Sequence, residues 1–177
     1  YHIGKSMMKY DLLKTSLFLF TWLNMSLHAD AYEGNVLFTP LASSYDNATT
    51  YLMNNDEEIL QSWNHEQGPA SMPYLLTDGS IIYPYRVPFP SMEAGGVGGG
   101  IQSQSWNGEL LWEHEFANET YQHHHDVEPL PNGNILLIVW EKKTTQEAFD
   151  MGREIIDNPL NQMWSFAILE LNPITGN

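Results

Sequence analysis

Cysteine is absent from this 177-residue sequence, so neither a disulfide framework nor a thiolate metal site can hold it together or act in it. Positive charge is scarce. Seven Lys and Arg stand against 22 Asp and Glu, a formal net charge of −15, and a field of that sign repels nucleic acid and anionic membrane surfaces alike. No apolar run approaches the roughly 20 residues of a membrane span, since Leu17 to Leu23 is bounded by Lys14 and Asn24. Apolar and aromatic residues, by contrast, make up 42% and 12%. That content excludes a disordered polar tail and suits one modest domain or part of a larger one.

The first 31 residues carry a leader pattern. Lys9 and Lys14 precede the apolar stretch from Leu17 to Leu23, and the small-residue sequence Ala29-Asp30-Ala31 follows. This order is that of a secretory signal peptide, with an amphipathic or membrane helix as the alternative. Residues 1–31 are therefore expected to be a signal peptide with some upstream residues, and 32–177 the N-terminal part of a longer β domain. The chain opens on Tyr1 and closes on a strand entering the Asn172-Pro173-Ile174-Thr175-Gly176 turn, so it reads as a fragment truncated at its C-terminus.

From Tyr51 onward two kinds of hairpin alternate. One runs Tyr51–Met53, turns at Asn54–Glu57 and returns as Glu58–Trp63; it recurs as Ile101–Ser105, Trp106-Asn107-Gly108 and Glu109–Trp112, and begins again at Ile168–Leu171. The other runs Tyr74–Leu76, Thr77-Asp78-Gly79 and Ser80–Tyr83, then recurs as Val127–Leu130, Pro131-Asn132-Gly133 and Asn134–Ile138. Asp-Gly and Asn-Gly between apolar runs are strong hairpin signals, because the turn needs positive φ where Gly and Asn cost least. Two hairpins per unit of roughly 50 residues describe a four-stranded propeller blade. The expectation is an all-β propeller with about two to three blades present. Trp63, Trp112, Trp140 and Trp164 are its packing aromatics. One insertion interrupts the period: Thr144 with Glu147 forms a capping box, and Ala148, Met151, Ile155 and Ile156 supply a stripe, predicting a helix near 145–158 with Arg153 in its C-terminal half.

Two stretches could carry chemistry. Gly95-Gly96-Val97-Gly98-Gly99-Gly100 lacks the Lys and Ser or Thr of a phosphate loop and leads into a strand, so an innermost strand crowded at a propeller axis explains it better. His123-His124-His125-Asp126 is the sharper feature. In a regular strand His123 and His125 share one face and His124 takes the other. A solvated strand end with one satisfied histidine is the plain reading. A zinc or copper site from His123, His125 and a distant ligand is another. The third is a histidine cluster at a channel mouth, able to donate to an anionic oxygen or accept a transferred group.

The run from His124 to Leu137, with Trp140-Glu141-Lys142-Lys143-Thr144, Met151-Gly152-Arg153, Gly98–Ile101, Asn107–Glu113 and Ile168–Pro173, resembles bacterial aryl-sulfate-dependent arylsulfotransferases over roughly 35–177. The resemblance implies a six-bladed propeller in the periplasm or outside the cell, moving a sulfuryl group from an aryl sulfate to a phenol through a sulfated histidine. It implies His125, and His124 beside it, as the catalytic contacts to sulfuryl or phenolic oxygen, with His123 and Arg153 as substrate-binding residues. The nucleophilic histidine is expected outside this chain, in a later blade. No cofactor, metal, nucleic acid or membrane partner is implied, only a small aryl sulfate and a phenol. A non-catalytic propeller binding an anionic glycan or small aromatic molecule, and a metal- or quinone-dependent propeller oxidoreductase, are the alternatives.

Overall fold

The structure, a computed structural model, describes residues 32–41 and 46–176. The chain divides into two compact units, Tyr1–Gly34 and Asn35–Asn177; the second carries every element below. The signal peptide expected over residues 1–31 lies outside the described residues. No helix among the described residues is long and apolar enough to cross a membrane.

The second unit is mostly β, as the turn pattern predicts. It holds three antiparallel sheets. The first orders β1 (Val36–Phe38), β2 (Asp46–Met53) and β3 (Ile59–Gln67). The second is a four-stranded meander of β4 (Tyr74–Leu75), β5 (Ile81–Arg86), β6 (Gly99–Gln104) and β7 (Leu110–Glu115). The third orders β8 (Tyr121–Pro129), β9 (Ile135–Lys143) and β10 (Met163–Leu171). Both hairpin kinds form where the turns place them. Gly79, Gly108 and Gly133 adopt φ of 85°, 82° and 84°, the left-handed conformation each turn needs.

Period-two alternation explains the packing. Along β5, Ile81 packs with Leu52 and Trp63, and Tyr83 and Tyr85 pack with Ala48, all on the first sheet. Ile82 instead joins Ile101, Val127, Ile135, Leu137, Val139 and Leu171 against the third sheet. The middle sheet is thus apolar on both faces, which is why Ile81 to Tyr85 reads as an unbroken buried run. The third sheet has only one covered face over most of its length: Phe166 and Ile168 on the other are 75% and 70% exposed.

Two expectations need correction. The helix α1 covers Thr145–Asp150 only, not 145–158. Its capping box forms as read, with the Thr144 side chain accepting from Glu147 N and the Glu147 carboxylate accepting from Thr144 N. It stops because Gly152 at φ 92° builds a Schellman cap, in which Gly152 N donates to Phe149 O and Arg153 N to Ala148 O. Arg153 therefore follows the helix rather than riding on it. The glycine-rich strand is likewise not innermost: β6 lies between β5 and β7. Side chains, not a channel axis, crowd it. A Cβ at Gly100 would run into the Tyr85 ring, and one at Gly99 into Val87.

Candidate functional site at the histidine segment of β8

β8 pairs with β9 from Tyr121 to His123 and again from Val127 to Pro129, with the register broken between. Through the break the strand takes another partner. Gly98 N donates to His123 O, and His125 N donates to Gly96 O at 2.7 Å. Val97 and His124 form an isolated antiparallel bridge. The glycine-rich segment is thus the mate of the histidine segment. A Cβ at Gly98 would stand 2.6 Å from His123 Nδ1, and one at Gly96 would enter the His125 ring. Gly96 itself has φ 83°, a conformation that favours glycine independently.

The bulge breaks the alternation that the sequence predicts. His125 takes φ 60°, a costly conformation for a residue other than glycine and one often met at functional sites. His123 and His124 are buried at 0% and 2% exposure, whereas His125 is exposed. His124 and His125 end side by side, with Nδ1 to Nδ1 at 2.7 Å and rings nearly perpendicular at 84°. His124 is stacked on Trp140, centroids 4.3 Å apart, and meets Phe166 edge-on at 5.3 Å. Among the described residues, His125 is the one exposed histidine.

Burial sets the protonation of the inner two. It lowers the pKa of His123 to about 4. It does the same to His124, where the neighbouring His125 adds to the effect. Both are neutral at pH 7, since a buried imidazolium loses its hydration. His123 accepts from Gly99 N through Nδ1 at 3.2 Å. The Nε2 atoms of His123 and His124 are buried without a hydrogen-bond partner.

Asp126 is an anchor. Its carboxylate accepts from Ser71 Oγ at 3.0 Å, Tyr74 Oη at 3.1 Å and its neighbour's amide, Val127 N, at 2.9 Å. Tyr74 is pushed up to about 12, first by burial and then by the Asp126 charge, so it remains a donor throughout the neutral range. Ser71 and Tyr74 fix where the bulge rejoins the strand. Sequence spacing gave no hint of them, because both lie more than 50 positions away. Beside this anchor a cavity of about 230 Å³ opens on the outer face of the third sheet, lined by Asp126, Val127, Glu128, Leu136, Leu137, Ile138 and Ile168.

The structure places His123, His124 and His125 on β8, and Arg153 in the loop between α1 and β10. Arg153 is exposed, and its Nε donates to Ile155 O at 3.1 Å in its own loop. No hydrogen bond or ion pair joins it to the histidines. Nor does any group of three His, Asp or Glu side chains assemble with metal-binding geometry among the described residues. Chemically, the segment offers one accessible imidazole backed by a neutral one. No protein-family model matches the chain, and no curated protein is significantly similar to it.

Proposed function

We infer that the protein moves a sulfuryl group from an aryl sulfate to a phenol by way of a histidine intermediate, with His125 contacting substrate and His124 supporting it. The observation that carries this reading is the exposed His125, held at positive φ on a bulged strand and bonded to a buried neutral imidazole. Such strain is retained where a side chain must be aimed. In the reaction, the bond from sulfur to the donor's aryl oxygen breaks as a sulfur–nitrogen bond forms on the nucleophilic histidine, and the donor leaves as a phenolate that takes up a proton. The acceptor phenol then gives up its proton and its oxygen displaces that nitrogen, restoring the imidazole. The nucleophile is assigned to no residue of this chain. His125 serves the sulfuryl or phenolic oxygen, and His123 shapes the segment from within.

The wider architecture belongs to the same reading. Three antiparallel sheets packed in chain order, the middle one four-stranded and built from both kinds of hairpin, support a β-propeller of four-stranded blades, six in the full protein, acting in the periplasm or outside the cell. Arg153, exposed in the loop after α1, belongs to the same reading as a substrate contact. A chromogenic aryl sulfate with a phenol acceptor tests the activity on the full-length protein. Release of chromophore, lost in His125→Ala, is expected; no release, or release indifferent to that substitution, contradicts it.

A second reading has one observation in its favour. A cavity of about 570 Å³ is lined by Asn158, Pro159, Leu160, Gln162, Met163 and Trp164, and Trp164 continues an aromatic row through Trp140 to His124. A binding protein for a small aromatic molecule would use such a row without turnover. Saturable binding with no chemistry would favour it.

A further inference from the structure

We propose that Asn107 is a site of spontaneous covalent modification, where the Gly108 amide nitrogen attacks the Asn107 carboxamide and converts it, through a cyclic imide and water, to aspartate and isoaspartate. The chain has two Asn-Gly pairs, Asn107-Gly108 and Asn132-Gly133, and glycine has no side chain to obstruct such an attack. The two turns share one backbone. Gly108 N donates to Ser105 O and Gly133 N to Leu130 O, each at 2.9 Å. The glycines have φ of 82° and 84°, and the space where a Cβ would stand is open at both. Asn107 and Asn132 are both exposed. Nothing in the main chain separates the two sites.

The side chains do separate them. In such turns an Asn or Asp side chain accepts from the amide two residues on. Asn132 does so, its Oδ1 accepting from Asn134 N at 3.0 Å while its Nδ2 donates to Glu170 Oε1 at 3.3 Å. Asp78, in a third turn of this kind, accepts from Ser80 N at 3.0 Å. At Asn107 the equivalent amide, Glu109 N, donates instead to Ser105 Oγ at 3.1 Å. Leu76 and Leu130 hold the place of Ser105 in the other two turns and carry no hydroxyl. The Asn107 carboxamide is therefore left without a hydrogen-bond partner among the described residues and turns freely onto Gly108 N, whereas that of Asn132 is tied at both ends. Access to the attacking geometry sets the rate of ring closure. A bond forms from Gly108 N to Cγ and the bond from Cγ to Nδ2 breaks, the Gly108 proton leaving with Nδ2 as ammonia. Water then opens the imide at either carbonyl, so amide and water become acid and ammonia. Isoaspartate adds a carbon to the main chain of a turn where Trp106 O accepts from Gln61 Nε2 at 2.8 Å and the Trp106 ring meets Trp63 edge-on at 5.6 Å. The change thus reaches the junction of the first two sheets.

Ageing of the full-length protein in mildly alkaline buffer, followed by peptide mapping with mass spectrometry and by an isoaspartyl methyltransferase assay, tests the proposal, with a parallel series in urea. In the folded protein Asn107 is expected to be lost several-fold faster than Asn132. In urea, where both carboxamides are free, the two rates should converge. Ser105→Ala returns Glu109 N to the Asn107 side chain and should slow the loss at Asn107. Equal loss at the two sites in the folded protein, faster loss at Asn132, or a ratio that urea leaves unchanged overturns the proposal, as does an unslowed Asn107 in folded Ser105→Ala. Should that variant fail to fold, the comparison of folded protein with urea decides alone.

Discussion

His65 on β3 and the pair His124 and His125 on β8 are two ways of holding imidazole, and their contrast separates a structural histidine from a site. The His65 ring is fully used. Gln102 Nε2 lies 3.0 Å from its Nδ1, Thr50 Oγ1 lies 2.8 Å from its Nε2, and Tyr83 stacks on it at 3.5 Å. Amide donation at Nδ1 leaves Nε2–H to donate to Thr50, whose hydroxyl is 2.7 Å from that of Thr39. The chain of bonds ties the first sheet to the second, and no ring nitrogen is left over. On β8 the accounting is open: His124 keeps an unpartnered Nε2, and His125 stands exposed at positive φ. A satisfied network stabilises, whereas an incomplete, strained one persists where something else is selected.

The largest expected effect comes from the glycine-rich segment itself. Gly100→Ala drives a methyl into the ring of Tyr85, which packs between the first two sheets, and should cost about 3 kcal/mol or more in chemical denaturation. A smaller loss is expected for His65→Ala. It leaves Gln102 and Thr50 facing a void, at about 2–3 kcal/mol, with no effect on the chemistry at His125. Wild-type stability in either variant would mean the core accommodates more than its contacts indicate.

Acid should act through the buried rings. His65 and His123 stay neutral in the fold down to about pH 4 but take up protons near pH 6.5 when unfolded. The unfolded chain thus binds more protons between those limits. The histidine contribution is present above pH 6.5 and is lost as pH falls toward 4, amounting to a few kcal/mol. Denaturation midpoints measured across that range should fall, and His65→Leu should flatten the slope. A midpoint that holds level would show that the rings are hydrated in the fold. The smallest effect belongs to the site itself: His125→Gly relieves the positive φ and should change stability by less than about 1 kcal/mol, while abolishing any turnover.

Strands and turns were legible because their signals are local. Asp78-Gly79, Asn107-Gly108 and Asn132-Gly133 fix their hairpins whatever surrounds them, and Thr144 with Glu147 fixes the start of α1. The end of the helix was misread because Ile155 and Ile156 continue a 3.6-residue stripe past Gly152, and a cap outweighs a stripe. His65 could have been found: Trp63 and His65 share the inward face of β3, so alternation alone buries that ring. The bulge could not, since it depends on pairing with Gly96–Gly98 across some 27 positions of chain. Each run was visible by itself. Their complementarity, ring against missing Cβ, exists only in three dimensions.

Carbethoxylation with diethyl pyrocarbonate, followed by peptide mapping over time, tests the contrast most directly, because the reagent attacks accessible neutral imidazole nitrogen. The account predicts that His125 is modified well before His65, His123 and His124, with fold and stability intact at that stage. Modification of His65 at the same rate as His125, or protection of His125 until the protein unfolds, would contradict it.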